Sequence, residues 1–450
     1  MRKSVAKKII INPPLSIRYS SAFLPRRFAT QLEGLDMDIQ DWALAQSDFF
    51  SEEDWREVQR KKLGSLLVHA GDNVSFWNRI FNDSGFEPRR FKNLDDLEKL
   101  PVTSRAHLKK AGHEDLTASN IPQSRMIRTA TSGSTAEPFV FLDDRRGIFR
   151  YKVNVFLELR YIDVPAQSNI VILGLGGIKG LRHYPLRIDP REIESREWRM
   201  HTLYPLLTSA RPEILFSTPS YIRRLAHFCG QDGFRYSFAG IRYCGESMDL
   251  TERDELENFF QCGIYSTYGS HECSIIGIEC KNRNMHTVPW LNYVEIVDGN
   301  GNVLPYGQVG NIVVTFFENE CMPFIRYVLG DRGSILKEKC SCGRSSALLQ
   351  LEGRVLGFLE FRDRSIYHVS YVVAYIAKNF SDSICRFQLE QPEPTKIIFR
   401  YVPQKQRVEV EKRLDKYFSS FLNGRAEIAY EAVDYIQPDA RGKTKIFIKS

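Results

Sequence analysis

Three groups of residues carry types and spacings that could do chemistry. Residues 129–138 read Thr129-Ala130-Thr131-Ser132-Gly133-Ser134-Thr135-Ala136-Glu137-Pro138. Thr131, Ser132, Ser134 and Thr135 set four hydroxyls around one glycine, between two segments of β character, and make a donor-rich loop. Backbone N–H groups and hydroxyls in such a loop can wrap a phosphate. The plain alternative is a Ser/Thr-rich hairpin turn. The second group is Tyr268-Gly269-Ser270-His271-Glu272, just after an expected strand at Ile264. The carboxyl end of a parallel strand is where open α/β sheets place ligands. Glu272 is a candidate magnesium ligand there, and the alternative is a helix N-cap with an acidic first turn. The third group is Cys280 and His286 with Cys340 and Cys342. Three thiolates and an imidazole complete a tetrahedral zinc shell and leave no open position, so the zinc would be structural. The alternative is four unrelated reduced side chains.

Two further glycine motifs fail as phosphate loops. Gly174-Leu-Gly-Gly-Ile-Lys-Gly180 follows a strand, but its spacing is not that of a dinucleotide loop and no amphipathic helix follows. Arg441-Gly442-Lys443-Thr444 resembles the end of a Walker loop, but too few residues follow to build its helix.

These groups need elements to hold them. Residues 52–82 have helical periodicity, and Leu94 to Leu100 predicts a short helix stopped by Pro101. Strands are predicted at 169–173, 214–216, 240–244 and 264–267, with a helix at 221–229 between two of them. Thr251-Glu-Arg-Asp254 has the form of a capping box opening another helix. This alternation predicts an α/β core with parallel strands. After Pro289 the pattern turns antiparallel, with strands at 293–297, 303–304 and 311–317 around the turn Asp298-Gly-Asn-Gly301. The last hundred residues predict helices at 371–380 and 408–421 and strands at 386–390, 396–402, 427–435 and 445–449, a small α+β domain. The expected division is 1–50 as a basic arm and lead-in, 51–352 as a large domain and 353–450 as a small one.

Composition narrows the class. The chain has 450 residues, of which 43% are hydrophobic and 26% charged, so it is globular and forms its core without disulfides. The longest apolar stretch, 169–178, is far short of the roughly 20 residues that span a bilayer, which argues against an integral membrane protein. The net charge of +7 equals the basic residues of 1–30, which contain no acid. The remainder is formally neutral, which argues against a nucleic-acid groove. The basic segment reads as a solvated arm with weak membrane-surface contact, the alternative being a transit peptide. Nine cysteines without a secretory signal predict a reducing, cytoplasmic setting.

In order along the chain, TSGSTAEP, YCGES, YGSHE, PFIRYVLGD, CSCGR, LEGR and a C-terminal GK resemble the adenylate-forming enzymes, specifically the phenylacetate–CoA ligase family. Lys61-Lys-Leu-Gly-Ser-Leu-Leu67, Phe76-Trp77 and Leu100-Pro-Val-Thr-Ser104 resemble that family's helical lead-in, so the likeness spans about residues 50–450. The stretch from Pro14 to Phe28 resembles members found in capsule and surface-polysaccharide biosynthesis.

The resemblance implies a large N-terminal α/β domain with mixed and antiparallel sheets and a small mobile C-terminal α+β domain. It implies that ATP and a small-molecule carboxylic acid form acyl-AMP, and that coenzyme A takes the acyl group; a carrier-protein arm or an amine is the alternative acceptor. It assigns Thr131, Ser132, Gly133, Ser134 and Thr135 to the β- and γ-phosphates, and Gly245, Glu246, Tyr268 and Gly269 to the adenine and acyl pockets. Glu272 would bind Mg²⁺, Asp331 the ribose hydroxyls, and Arg354 would sit at the domain junction. Lys443 would reach the reacting oxygens, and Cys280, His286, Cys340 and Cys342 would hold a structural zinc. Four positions depart from the pattern. Ala136-Glu137 replaces the usual Gly-Lys, and His271 replaces a hydroxyl residue while keeping a phosphate donor. The hinge Asp is missing after Gly353-Arg354. These departures motivate a rival reading, a degenerate member that binds ligands without adenylation.

Overall fold

The computed structural model describes residues 2–11, 43–48, 50–130, 139–144, 154–155, 157–165, 168–174, 186–189, 192–246, 248, 250–352, 358–363, 366–369, 372, 375–376, 379–380, 383–403, 407–436 and 447–449. The chain forms two compact units, Met1–Thr129 with Phe141–Gly353, and Ala130–Val140 with Arg354–Ser450.

The larger unit opens with helix α1 (Arg2–Ile11). This segment was expected to be solvated, yet its Ala6 and Ile10 are buried and Lys7 pairs with Asp54 and Glu57 at 2.5 Å each. Those acids belong to helix α2 (Glu52–Asn73), which Ser51 and Asp54 start with a reciprocal capping box. The predicted 52–82 helix is two elements. The chain turns extended at Val74 and resumes as α3 (Ser75–Asp83). A two-turn 3-10 helix covers Leu94–Lys99, and α4 (Arg105–Ala111) follows Pro101.

Two short strands, β1 (Met126–Ala130) and β2 (Val140–Asp144), pair and frame residues 131–138. Then comes an eleven-stranded sheet. Its parallel half contains β3 (Ile170–Leu173), β4 (Leu186–Ile188), β5 (Ile214–Ser217), β6 (Gly240–Cys244) and β7 (Ile264–Ser270). Every residue of β3 and β5 is buried, as strands covered on both faces require. Helices α5 (Pro219–Gln231) and α6 (Leu250–Phe260) make the crossovers. Helix α6 begins at Leu250, so Thr251 lies inside it and is not its cap.

The antiparallel half contains β8 (Ser274–Glu279), β9 (Met285–Thr287), β10 (Asn292–Val297), β11 (Gly310–Phe316), β12 (Tyr327–Leu336) and β13 (Leu348–Leu351). The spatial order is β10-β11-β12-β13-β9-β8-β7-β6-β5-β3-β4. The strand expected at 303–304 is only a single bridge from Val303 to Val297. The join between β13 and β9 is one residue pair, Leu348 with His286.

The smaller unit has a two-stranded piece, β14 (Phe358–Glu360) with β15 (Ile366–His368). Its main sheet holds β16 (Ile384–Glu393), β17 (Lys396–Pro403), β18 (Glu427–Ala432) and β19 (Phe447–Lys449), in the order β18-β17-β16-β19. Helix α7 (Arg407–Leu422) buries Val410, Leu414, Phe418 and Leu422, a four-residue spacing that lays one stripe into the core. Among the described residues no helix is long and apolar enough to cross a membrane, and no disulfide joins the described cysteines.

Candidate functional site

Strands β6 and β7 end side by side, with Cys244 opposite Thr267. Gly245 and Glu246 therefore leave the sheet beside Tyr268 and Gly269. Gly245 has φ +82°, a left-handed conformation that suits glycine. Gly269 is demanded by packing, because a Cβ there would come within 2.3 Å of the Ser274 carbonyl across a bulged hairpin. His271, Glu272 and Cys273 form the hairpin turn between β7 and β8, not a helix start.

The strand ends rest on a buried polar support. Arg242 on β6 is fully buried and donates to the carbonyls of Glu279 at 2.7 Å and Glu158 at 2.6 Å. The Thr267 hydroxyl donates to Glu158 Oε2 at 2.6 Å, and burial holds the Glu158 carboxyl above the usual range.

Glu272 is buried in its turn, and His271 beside it is exposed. Glu272 Oε1 accepts from Arg105 at 3.3 Å and from the Tyr327 hydroxyl at 3.2 Å. Burial, then the neighbouring Glu272 charge, raises the Tyr327 phenol, so it stays a donor. Neither Arg105 nor Tyr327 was singled out from the sequence. Tyr327 stands within PFIRYVLGD, and Arg105 directly follows Leu100–Ser104. The backbone ties those motifs together: Thr103 N–H donates to the Arg326 carbonyl, and Val328 N–H to the Thr103 carbonyl, both at 2.8 Å. Arg326 carries φ +45°, a strained value for a long side chain. Its buried guanidinium holds that conformation by pairing with Glu295 at 3.0 Å and donating to the Leu100 and Gly301 carbonyls.

Asp331 comes from the middle of β12, and its Oδ2 accepts from the Tyr268 hydroxyl at 2.9 Å. Three strands separate β12 from β7 in the sheet order. In a flat sheet four steps would hold them about 19 Å apart. The antiparallel half therefore curls over until β12 faces the end of β7.

The pinched β13–β9 join lies within that curl, and a second cluster sits there. Cys280 follows β8, His286 is on β9, and Cys340 with Cys342 precedes β13. The four ligand atoms all lie within 4.8 Å of one another. Cys280 and Cys340 sulfurs are 3.6 Å apart, and Cys342 Sγ is 3.3 Å from His286 Nε2. Ser346 meets the other ring nitrogen, Nδ1, at 3.2–3.3 Å. Burial pulls His286 down to about 4, which keeps the imidazole neutral. Asn284 Nδ2 at 3.2 Å and the Cys342 N–H at 3.4 Å donate to Cys340 Sγ, as suits a thiolate.

The structure thus brings Gly245, Glu246, Tyr268, Gly269, His271, Glu272 and Asp331 to one end of the sheet, and gathers the four Cys/His ligands separately. Thr131, Ser132, Gly133, Ser134, Thr135, Arg354 and Lys443 lie outside the described residues.

No protein-family model matches the chain. It is 25% identical to a phenylacetate–coenzyme A ligase of Thermus thermophilus over 69% of this chain and 73% of that protein. It is 26% identical to the phenylacetate–coenzyme A ligase of Aromatoleum evansii over 73% of this chain and 77% of that one. It is 21% identical to the protein CapK of Staphylococcus aureus over 69% of this chain and 70% of that protein. Among solved structures, 2-hydroxyisobutyryl-CoA ligase with its acyl-AMP and CoA in the thioesterification state superimposes with a TM-score of 0.66, at 18% identity, over 96% of this chain and 95% of that one. The open conformation of the same ligase gives 0.58 over 89% of this chain and 93% of that one, at the same identity.

Proposed function

The chain belongs to the phenylacetate–CoA ligase family of adenylate-forming enzymes, and from that premise we propose that it activates a carboxylic acid with ATP and passes the acyl group to coenzyme A. The observation that supports this reading is the Tyr268–Asp331 contact between the end of β7 and the middle of β12, beside the end of β6 that carries Gly245 and Glu246.

In the first step a carboxylate oxygen of the acid bonds to the α-phosphorus, and the bond to the bridging oxygen breaks to release pyrophosphate. In the second the thiol sulfur bonds to the acyl carbon, AMP leaves, and the thiol proton is lost. Asp331 would hold the ribose hydroxyls through its two acceptor oxygens, with Tyr268 fixing the carboxylate. Gly245, Glu246 and Gly269 would line the adenine and acyl pockets, where the missing side chains of the glycines allow close approach. Thr131 to Thr135 would bind the β- and γ-phosphates with His271 as a further donor. Lys443 would offset charge developing in the first transition state, and Arg354 would act at the junction.

Glu272 fits a magnesium ligand, since Arg105 and Tyr327 both take Oε1 and leave Oε2 as the coordinating oxygen. Bound there, Mg²⁺ would neutralise phosphate charge. Cys280, His286, Cys340 and Cys342 fit a tetrahedral zinc whose chemistry is structural. Zinc would fasten the end of β8 and β9 to the segment before β13, where a single residue pair joins β13 to β9, and so preserve the curl that carries Asp331 to Tyr268. A need for ATP and coenzyme A, with no disulfide among the described cysteines, suits a cytoplasmic setting.

ATP–pyrophosphate exchange over a panel of acids tests the reading. Exchange that depends on one acid class supports it, and thioester formation with coenzyme A, rather than transfer to an amine or carrier arm, fixes the acceptor. Nucleotide binding without exchange for any acid would replace it with the degenerate-binder reading.

A further inference from the structure

The helical residues 154, 155 and 157–160 cover one face of the parallel half of the sheet. Val155 and Leu159, four positions apart, pack with Ile170 and Ile172 of β3 and with Ile214 and Phe216 of β5. Glu158 is set into this apolar layer and is 6% exposed. Its carbonyl accepts from Arg242 on β6, and its carboxylate accepts from the Thr267 hydroxyl on β7 at 2.6 Å. A buried carboxylate costs free energy that an apolar pair of the same shape avoids, and the best-attested role of such a group is to fix register.

Register decides where Tyr268 points. Side chains alternate along β7, so Tyr265 and Thr267 face the helix while Ser266 and Tyr268 face the other way. Thr267 pairs with Cys244 of β6 and with Ile278 of β8, and the hairpin bulges directly afterwards, between Tyr268 and Gly269. A slip of one residue would exchange the faces of Thr267 and Tyr268 and take the phenol away from Asp331. Backbone ladder bonds do not distinguish one side chain from the next, whereas the hydrogen bond from Thr267 to Glu158 needs a hydroxyl at that position.

We infer that Glu158 is a positioning residue for the nucleotide site: by holding the Thr267 hydroxyl it fixes the place of the bulge, and the bulge aims Tyr268 at Asp331. The inference rests on the reading of Asp331 as the ribose ligand. Glu158 and Thr267 act through Tyr268 and touch no substrate themselves.

Thr267→Val keeps the shape of the side chain and removes its donor, while Thr267→Ser keeps the donor. Glu158→Leu removes the acceptor, and Glu158→Gln keeps one. Calorimetry measures ATP binding, steady-state assays separate the KM for ATP from kcat, and thermal unfolding reports stability. Fluorine NMR of protein carrying fluorotyrosine reports the Tyr268 phenol without nucleotide, its signal assigned by loss in Tyr268→Phe. Thr267→Val and Glu158→Leu are expected to shift that signal and to weaken ATP binding about tenfold. The KM for ATP should rise by the same factor, with kcat within about threefold of wild type. Thr267→Ser and Glu158→Gln should stay within about threefold of wild type in ATP binding. Added to Tyr268→Phe, Thr267→Val should weaken binding by less than about twofold more, because both changes act through one contact. A lower Tm with the fluorine signal and ATP binding unchanged would make the pair merely structural and overturn the inference. A full further loss in the Tyr268→Phe background overturns it as well. If Glu158→Leu does not fold, the Thr267 variants decide by the same criteria. A shifted signal in Thr267→Val, with ATP binding unchanged there and in Tyr268→Phe, overturns the ribose reading and leaves the positioning of Tyr268 by Glu158 in place.

Discussion

Tyr268 and Asp331 lie 63 positions apart and on strands separated by three others, yet the phenol donates to the carboxylate at 2.9 Å. The bond holds the curl of the sheet closed at the place where the nucleotide sugar is proposed to bind. Tyr268→Phe keeps the ring and removes the hydrogen bond. A bond to a charged acceptor is worth about 1.5–3 kcal/mol. The KM for ATP should therefore rise roughly tenfold or more, with a smaller change in kcat. An unchanged KM in steady-state assays would remove Asp331 from the ribose site.

Zinc removal should act on stability and on this contact together. Cys340→Ser, or exhaustive chelation, is expected to lower Tm by roughly 10 °C or more, since structural zinc contributes folding free energy directly. It should also weaken ATP binding, because the cluster sits at the single-pair join inside the curl. Elemental analysis of purified protein should give one zinc per chain. One equivalent persisting in a Cys340→Ser/Cys342→Ser double variant would sink the assignment.

His271 is exposed in the β7–β8 turn beside buried Glu272. As a phosphate donor it should tolerate Ser, which restores the family's hydroxyl, and not Ala. His271→Ala is expected to slow adenylation by about 1–2 kcal/mol, or roughly 5- to 30-fold. Equal pyrophosphate-exchange rates for Ala and wild type would make the imidazole a bystander.

Lys443 gives a prediction that separates the half-reactions. Lys443→Ala should slow acyl-AMP formation by at least about 3–4 kcal/mol of lost transition-state stabilisation. Given preformed acyl-AMP and coenzyme A, the same preparation should complete transfer at near wild-type rate, since an interaction made in one step cannot be missed in the other. Single-turnover assays of both steps decide it. If both rates fall together, Lys443 maintains the small domain's fold and is not an adenylation residue.

The docking of α1 depends on pH. Lys7 and the Ser51 backbone hold the Asp54 carboxyl down at about 2, and Lys61 with Lys7 does the same for Glu57. Both folded values lie below the unfolded ones. Their stabilising effect is therefore full above about pH 4 and is lost as pH falls through 2. Side-chain exposures of 18–35% screen these pairs, so Lys7→Ala should cost about 0.5–1 kcal/mol at pH 7. Urea unfolding from pH 7 to 2 should show the gap between wild type and variant closing below pH 4. A gap that widens in acid would mean that another group holds α1.

The sequence by itself determined the classes of element, the order of the motifs and the candidate group of Cys280, His286, Cys340 and Cys342. Periodicity reports which face of a strand or helix is buried, and a short motif carries its donor types along the chain. The parallel strands β3 and β5 were legible because burial on both faces leaves a short apolar run, as in Ile170–Leu173. Tertiary structure alone decided what touches what. Arg105 and Tyr327 on Glu272, and the left-handed Arg326 between Glu295 and Leu100, depend on segments brought together across long sequence separations. Within the basic N-terminal segment, the described residues 2–11 depart from the solvated reading at Ala6, Lys7 and Ile10 for the same reason. Its charge suggested solvent, and only the acids waiting on α2 turned Lys7 inward. Such contacts are set by how the sheet curls, and that curl is a property of the whole set of strands and of no single segment.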